Sequence, residues 1–165
     1  MNVLIHDLEN FDESLISTDK QKDTVIISDN GKIHPCICCF SCWIKTPGKC
    51  AIKDGYDNIG LLHSKCERLV IISRCFYGSY SPFVHNVMDR SIPYLLPYFE
   101  TKNGETHHQC RYDNKPVIKV YFYGEIFDME KETAKKMVLA NGINHHAQKT
   151  EVYFYDNSND IQEIL

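Results

Sequence analysis

Apolar, β-branched runs alternate along the chain with stretches that repeat at helical spacing. Val3-Leu4-Ile5 and Thr24-Val25-Ile26-Ile27-Ser28 read as short buried strands, the second closed by the turn Asp29-Asn30-Gly31. Leu69-Val70-Ile71-Ile72-Ser73 is apolar almost throughout, as expected where both faces of a parallel sheet are covered. Val117 to Tyr123, ended by Gly124, and Glu151 to Tyr155 supply two further strands. Between them the spacing predicts a weak helix around Phe11 to Ile16. A second helix runs from Asp57 to Cys66, with Ile59, Leu62 and Cys66 on one side and Asp57 or Asn58 as its cap. A third is opened by Pro82 and runs to about Arg90. A fourth spans Met129 to Ala140, with Gly142 as a C-cap, and Ile161 to Leu165 reads as a short final helix.

Five strands alternating with helices predict one α/β domain over residues 1–165, a doubly wound and mainly parallel five-stranded sheet with right-handed crossovers. Such folds bind ligands beyond the carboxyl ends of the strands, near the switch in strand order. That rule selects the loops His6 to Asn10, Arg74 to Ser81, and Gly124 to Asp128. Residues 91–115 show no clear periodicity and read as a long excursion from the sheet. Its apolar start, with Ile92, Tyr94, Leu95, Leu96, Tyr98 and Phe99, suits a subunit interface, so a homodimer or higher homo-oligomer is expected.

The net charge of -4 offers no basic field for nucleic acid or an anionic membrane surface. No apolar run reaches the length of a membrane span, and MNVLIHDLEN does not read as a signal peptide, so a cytoplasmic location is expected. Cysteine usage changes the picture more. Five of eight cysteines crowd between Cys36 and Cys50, and in a reducing compartment that clustering points to metal, iron–sulfur or thiol chemistry. Cys36, Cys39, Cys42 and Cys50 form a C-x2-C-x2-C-x7-C pattern, in which four soft sulfurs suit zinc or an iron–sulfur cluster. Two other readings stand beside it: free thiols packed around Trp43, and a reversible dithiol. Cys75, at the end of the central strand, reads as a small packed residue. His107-His108 and His145-His146 read first as surface pairs rather than ligands.

The segment CICCFSCWIKTPGKCAIKDG, followed by SRCFYGSYSPFVHNVMDRSIPYLLPYF, resembles the flavodoxin-like NAD(P)H-dependent FMN reductases and their iron–sulfur flavoprotein relatives. The resemblance rests on the cysteine spacing, Trp43, the Pro47-Gly48 turn, Asp54, the aromatic-Gly-small loop and the helix ending Asp89-Arg90, over roughly residues 33–123. It implies a flavodoxin-like fold, FMN as cofactor and NAD(P)H as electron donor. It also implies that Phe76, Tyr77, Gly78, Ser79, Tyr80 and Ser81, with Gly124 and Glu125, meet the flavin. Gly78 permits close backbone approach, and the aromatics offer flat apolar surface. The first loop departs from the family. His6-Asp7-Leu8-Glu9-Asn10 has no glycine and puts two carboxylates where a flavin phosphate would sit.

No Gly-x-Gly-x-x-Gly fingerprint, Walker sequence or serine nucleophile elbow is present. The leading expectation is therefore an FMN-dependent redox flavoprotein with a small-molecule or protein redox partner, with or without an iron–sulfur cluster. A flavin-free metal-binding or interaction protein on the same fold is the alternative, and a thiol sensor built on the cysteine loop is a third.

Overall fold

The computed structural model describes residues 1–162 and 164–165. In chain order its elements are β1 (Asn2–His6), α1 (Thr18–Gln21), β2 (Thr24–Ser28), α2 (Ser41–Ile44), α3 (Ile59–Lys65), β3 (Arg68–Arg74) and α4 (Pro82–Asp89). They continue with β4 (Leu95–Lys102), β5 (Glu105–Cys110), β6 (Val117–Tyr123), α5 (Asp128–Asn144) and β7 (Lys149–Tyr155). Five strands form one all-parallel sheet in the order β2-β1-β3-β6-β7, the flavodoxin-like arrangement. Ile5 lies between Ile27 and Ile71 in register, and Ile71 pairs with Val120.

Side chains alternate across this sheet, so each apolar run feeds two cores. Val3, Ile5, Leu69, Ile71, Val120 and Phe122 face a layer built by α3, α4 and α5, through Ile59, Val84, Val87, Ala134 and Val138. Leu4, Val70, Ile72 and Tyr121 face the other way, onto Ile16, Ile161, Ile164 and Leu165. That second layer has no long helix. The helix expected at residues 11–16 is a single 3-10 turn, Glu13–Leu15, whose start is capped by the Asp12 carboxylate. The final helix expected at 161–165 does not form at the described positions. Its backbone bonds go instead to the first segment: the Ile164 amide donates to the Leu15 carbonyl at 2.9 Å, and Ser17 Oγ donates to the Leu165 carbonyl at 2.8 Å. Three large apolar side chains in five residues are buried together by that course.

Two further expectations change. Helix α5 runs through Gly142 to Asn144, so Gly142 is no C-cap. Its role is close packing, because a Cβ there would stand 2.1 Å from Thr150 Oγ1 on β7. Residues 91–115, expected to lack periodicity, contain an antiparallel hairpin outside the main sheet, β4 against β5. Asn103 and Gly104 both take positive φ, 53° and 84°, the geometry of a tight two-residue hairpin turn.

A buried ion pair fixes the cysteine loop to this frame. Arg90, at the end of α4, donates to Asp54 through both terminal nitrogens, at 2.7 and 3.0 Å, and also to the His34 and Ile52 carbonyls. The Arg90 side chain is 0% exposed and that of Asp54 5%. Asp54 also accepts from the His34 and Tyr56 amides. These donors, Arg90 first, hold its carboxyl well below the usual carboxylate range. Trp43 then joins the loop to the hairpin, donating from Nε1 to the Leu95 carbonyl at 3.0 Å.

Under the hairpin, two imidazoles are buried against Tyr94. His63 is 1% exposed, and neither ring nitrogen has a hydrogen-bond partner among the described residues. The His145 ring stands 5.6 Å away and contacts Ser91 and the Asn141 carbonyl. Burial pushes His63 down to about 3 and lowers His145 as well.

Removing one partner of a buried pair strands the other charge, so Asp54→Asn is expected to lower stability by about 3–5 kcal/mol in urea unfolding at pH 7. The His63 shift is a depression, so its neutral form costs nothing above the unfolded value near 6.5. Below that, the unfolded chain takes a proton the folded ring refuses, and stability falls as pH drops towards 3. The His63 contribution to that slope is about 1.4 kcal/mol per pH unit. Urea midpoints between pH 7 and pH 5 should show a flatter slope in His63→Leu; an unchanged slope would contradict this.

Candidate functional site at the carboxyl ends of the strands

Parallel strands deliver their C-terminal loops to one edge, and here those of β1, β3, β6 and β7 border a cleft of about 520 Å³. After β3 the chain makes a tight reversal. Phe76 and Ser79 exchange backbone hydrogen bonds at 2.9 and 3.0 Å, with Tyr77 and Gly78 at φ 51° and 73° between them. Gly78 is required twice over. Its φ is left-handed, and a Cβ would meet Thr133 Cβ at 2.9 Å and the Glu130 carbonyl at 3.1 Å on α5. Ser81 then caps α4, accepting from the Val84 amide, while its own amide donates to buried Ser73 Oγ at 2.9 Å.

The eight residues expected to meet a flavin separate into groups. Phe76, Ser81 and Gly124 line the cleft. Tyr77 stands at the turn tip, 84% exposed. Tyr80 is buried and stacked on Phe122 at 5.5 Å, and burial raises its hydroxyl to about 12. Gly78 and Ser79 face α5, where Ser79 Oγ contacts Met137 Sδ; it also lies 2.9 Å from His85 Nε2. Glu125 is exposed and outside the cleft lining.

Sequence reasoning marked Asp7 as a charge at this edge but not its role in organising it. Asp7 accepts from the Arg74 amide at 2.9 and 3.2 Å and from the Tyr123 hydroxyl at 3.1 Å, and Ser73 Oγ lies 3.4 Å away. One carboxylate therefore ties together the ends of β1, β3 and β6. Burial first, then Asp7, raises the Tyr123 hydroxyl above the ordinary tyrosine range, so it remains a donor. Also missed were Asp156, Asn157, Ser158 and Asn159 after β7, which close the far side of the cleft. Their only sequence signal was a polar run following an apolar strand.

The cysteine loop forms a second concavity of about 80 Å³, lined by Cys36, Cys39, Cys42, Cys50, Trp43 and Arg90 among others. Its four patterned thiols are unevenly placed: Cys42 and Cys50 are buried, Cys36 is half-buried and Cys39 is exposed. Burial pushes Cys42 up to about 11 and raises Cys36, which keeps both as thiols, whereas hydrogen bonding from Ser41 lowers Cys39. Cys38 and Phe40 hold left-handed φ of 51° and 55°. Among the described residues no three His, Cys, Asp or Glu side chains converge on a point that could hold a metal ion. The donor set as arranged does not fit a four-sulfur centre. Cys75 is half-buried, with its thiol raised by burial.

No helix among the described residues is long and apolar enough to cross a membrane. No family model matches the sequence, and no curated protein does. Solved structures do match. An azoreductase, AzrA, aligns with 96% of this chain and 89% of its own, at 11% identity and a TM-score of 0.58. An azoreductase from Bacillus anthracis aligns with 97% of this chain and 88% of its own, at 12% identity and a TM-score of 0.59. General stress protein 14 from Treponema denticola, solved in complex with FMN, covers 96% of this chain and 87% of its own, at 10% identity and a TM-score of 0.51.

The strain and overlap a side chain would meet at position 78 make Gly78→Ala destabilising by about 1–3 kcal/mol, read as a lower melting temperature. Near-whole-length matches at such low identity make this chain, by its architecture, a flavodoxin-like α/β protein.

Proposed function

We propose that the chain is a flavin-dependent oxidoreductase, with the flavin ring held in the cleft at the carboxyl ends of β1, β3 and β6 and NAD(P)H as electron donor. One observation carries the reading: the switch point of the sheet is an open cleft whose wall includes Phe76 and Gly124, not an edge filled by the protein's own side chains. The solved relatives of like architecture, two azoreductases and an FMN-bound protein, support it.

A flavin supplies reversible two-electron chemistry, and the protein supplies position and electrostatics. Phe76 gives a half-exposed apolar face for a planar ring. Gly124, at φ 115°, brings the backbone to the cleft without a side chain in the way. The Phe76–Ser79 turn is bonded internally and seated on α5, so this wall is already ordered before a ligand arrives. The fit fails at one end of FMN. The loop that β1 sends to the cleft leads to a short 3-10 turn outside its lining and not to an α-helix start facing a phosphate, and the loop carries Asp7 and Glu9 there instead.

The test is addition of flavin to purified protein under anaerobic conditions, followed by NADH or NADPH. Saturable quenching of flavin fluorescence and loss of the oxidised flavin's visible absorbance are expected. Phe76→Ala should weaken flavin binding about two- to tenfold. Absence of binding by any flavin would end this reading and favour a flavin-free interaction protein.

A further inference from the structure

We infer that the cleft is built for a flavin without its terminal phosphate, an uncharged ring bearing a polyol chain, and that Asp7 occupies the place the phosphate would otherwise claim. The inference rests on the flavin reading above and narrows it to one ligand class.

A phosphate in a parallel α/β fold needs unpaired N–H and O–H donors, usually at a helix start, with positive charge or a dipole behind them. After β1, where the phosphate of such a ligand would sit, these provisions are absent or already taken. The segment after β1 enters a three-residue 3-10 turn, in which the Ser14 amide is bonded to the Asp12 carboxylate at 2.8 Å. The donors at the cleft floor, the Arg74 amide and the Tyr123 hydroxyl, are bonded to Asp7. His6 offers no cation. It is buried against Phe11, its rings stacked at 4.4 Å, and burial lowers its proton affinity.

Charge gives the same answer. Of the described residues lining the cleft, Asp7, Glu9 and Asp156 are anionic and Arg74 is the one cation. Each added anion within about 4 Å of such a carboxylate is opposed by an energy worth several-fold in affinity even in water. The same side chains are well suited to a neutral polyol. Carboxylates accept from hydroxyls, and Asn10, Asn157 and Asn159 on the rim both donate and accept.

The experiment compares riboflavin and FMN binding to the purified full chain by fluorescence quenching, at low and high salt. Riboflavin is expected to bind about tenfold more tightly than FMN at low salt. Raising the salt should strengthen FMN binding and leave riboflavin unchanged, because only the charged ligand is repelled. Glu9→Gln, which removes a charge from an exposed side chain, should narrow the gap without affecting the fold. Asp7→Asn should narrow it further where circular dichroism shows the native fold. FMN binding as tightly as riboflavin or more tightly at low salt overturns this inference while leaving the flavin reading intact. Binding of neither overturns both.

Discussion

A guanidinium with no exposed surface cannot go unpaired, and the way the two terminal nitrogens of Arg90 are met determines where a fifth of the chain can go. Its partners are a carboxylate and two carbonyls, all from the loop between β2 and α3. Desolvating both charges would be prohibitive for either alone, so the loop cannot lift from α4 without leaving a buried ion unpaired. The position of Trp43 follows from this anchorage, and the hairpin's first strand is held in turn by the Trp43 indole. The small cysteine-lined hollow is thus a by-product of where the ion pair holds the chain, with Arg90 itself as part of its wall.

At the opposite edge the organising charge is negative. Asp7 joins three strand ends through donors that would otherwise be offered to a ligand. A fold that presents strand-end loops as a binding edge has here turned one of its recognition points inward. The remaining wall, from Phe76 to Gly124, retains the openness and backbone exposure that a flat ring requires.

Much of this was legible in the chain. The five strands announced themselves through their apolar, β-branched or aromatic runs, and β3 is the plainest case: Leu69 to Ile72 are all fully buried. The ligand edge followed from topology alone. The hairpin was harder. Glu105-Thr-His-His-Gln-Cys110 is polar, buries little and carries no strong alternation, although Asn103-Gly104 was the turn signal that marked it. Gly142 was misread because a glycine near a helix end suggests a stop, whereas here the missing side chain makes room for Thr150. Asp54 and Arg90 both stood inside the recognised motifs, but their pairing crosses 36 positions and is set by the fold rather than by spacing. Asp7 was visible as a charge in the wrong place; that it serves three strands could be seen only once those strands lay side by side.

The second face of the sheet is covered by two ends of the chain that meet each other. The bond from Ser17 to Leu165 closes a separation of 148 positions, and Ile164 reaches back to Leu15 in the same way. Contacts so distant in sequence gain nothing until most of the intervening backbone is already ordered. The tyrosine row at Tyr121, Tyr153 and Tyr155 packs against this seam, so covering the aromatic side of the sheet is tied to joining residues at opposite ends of the sequence.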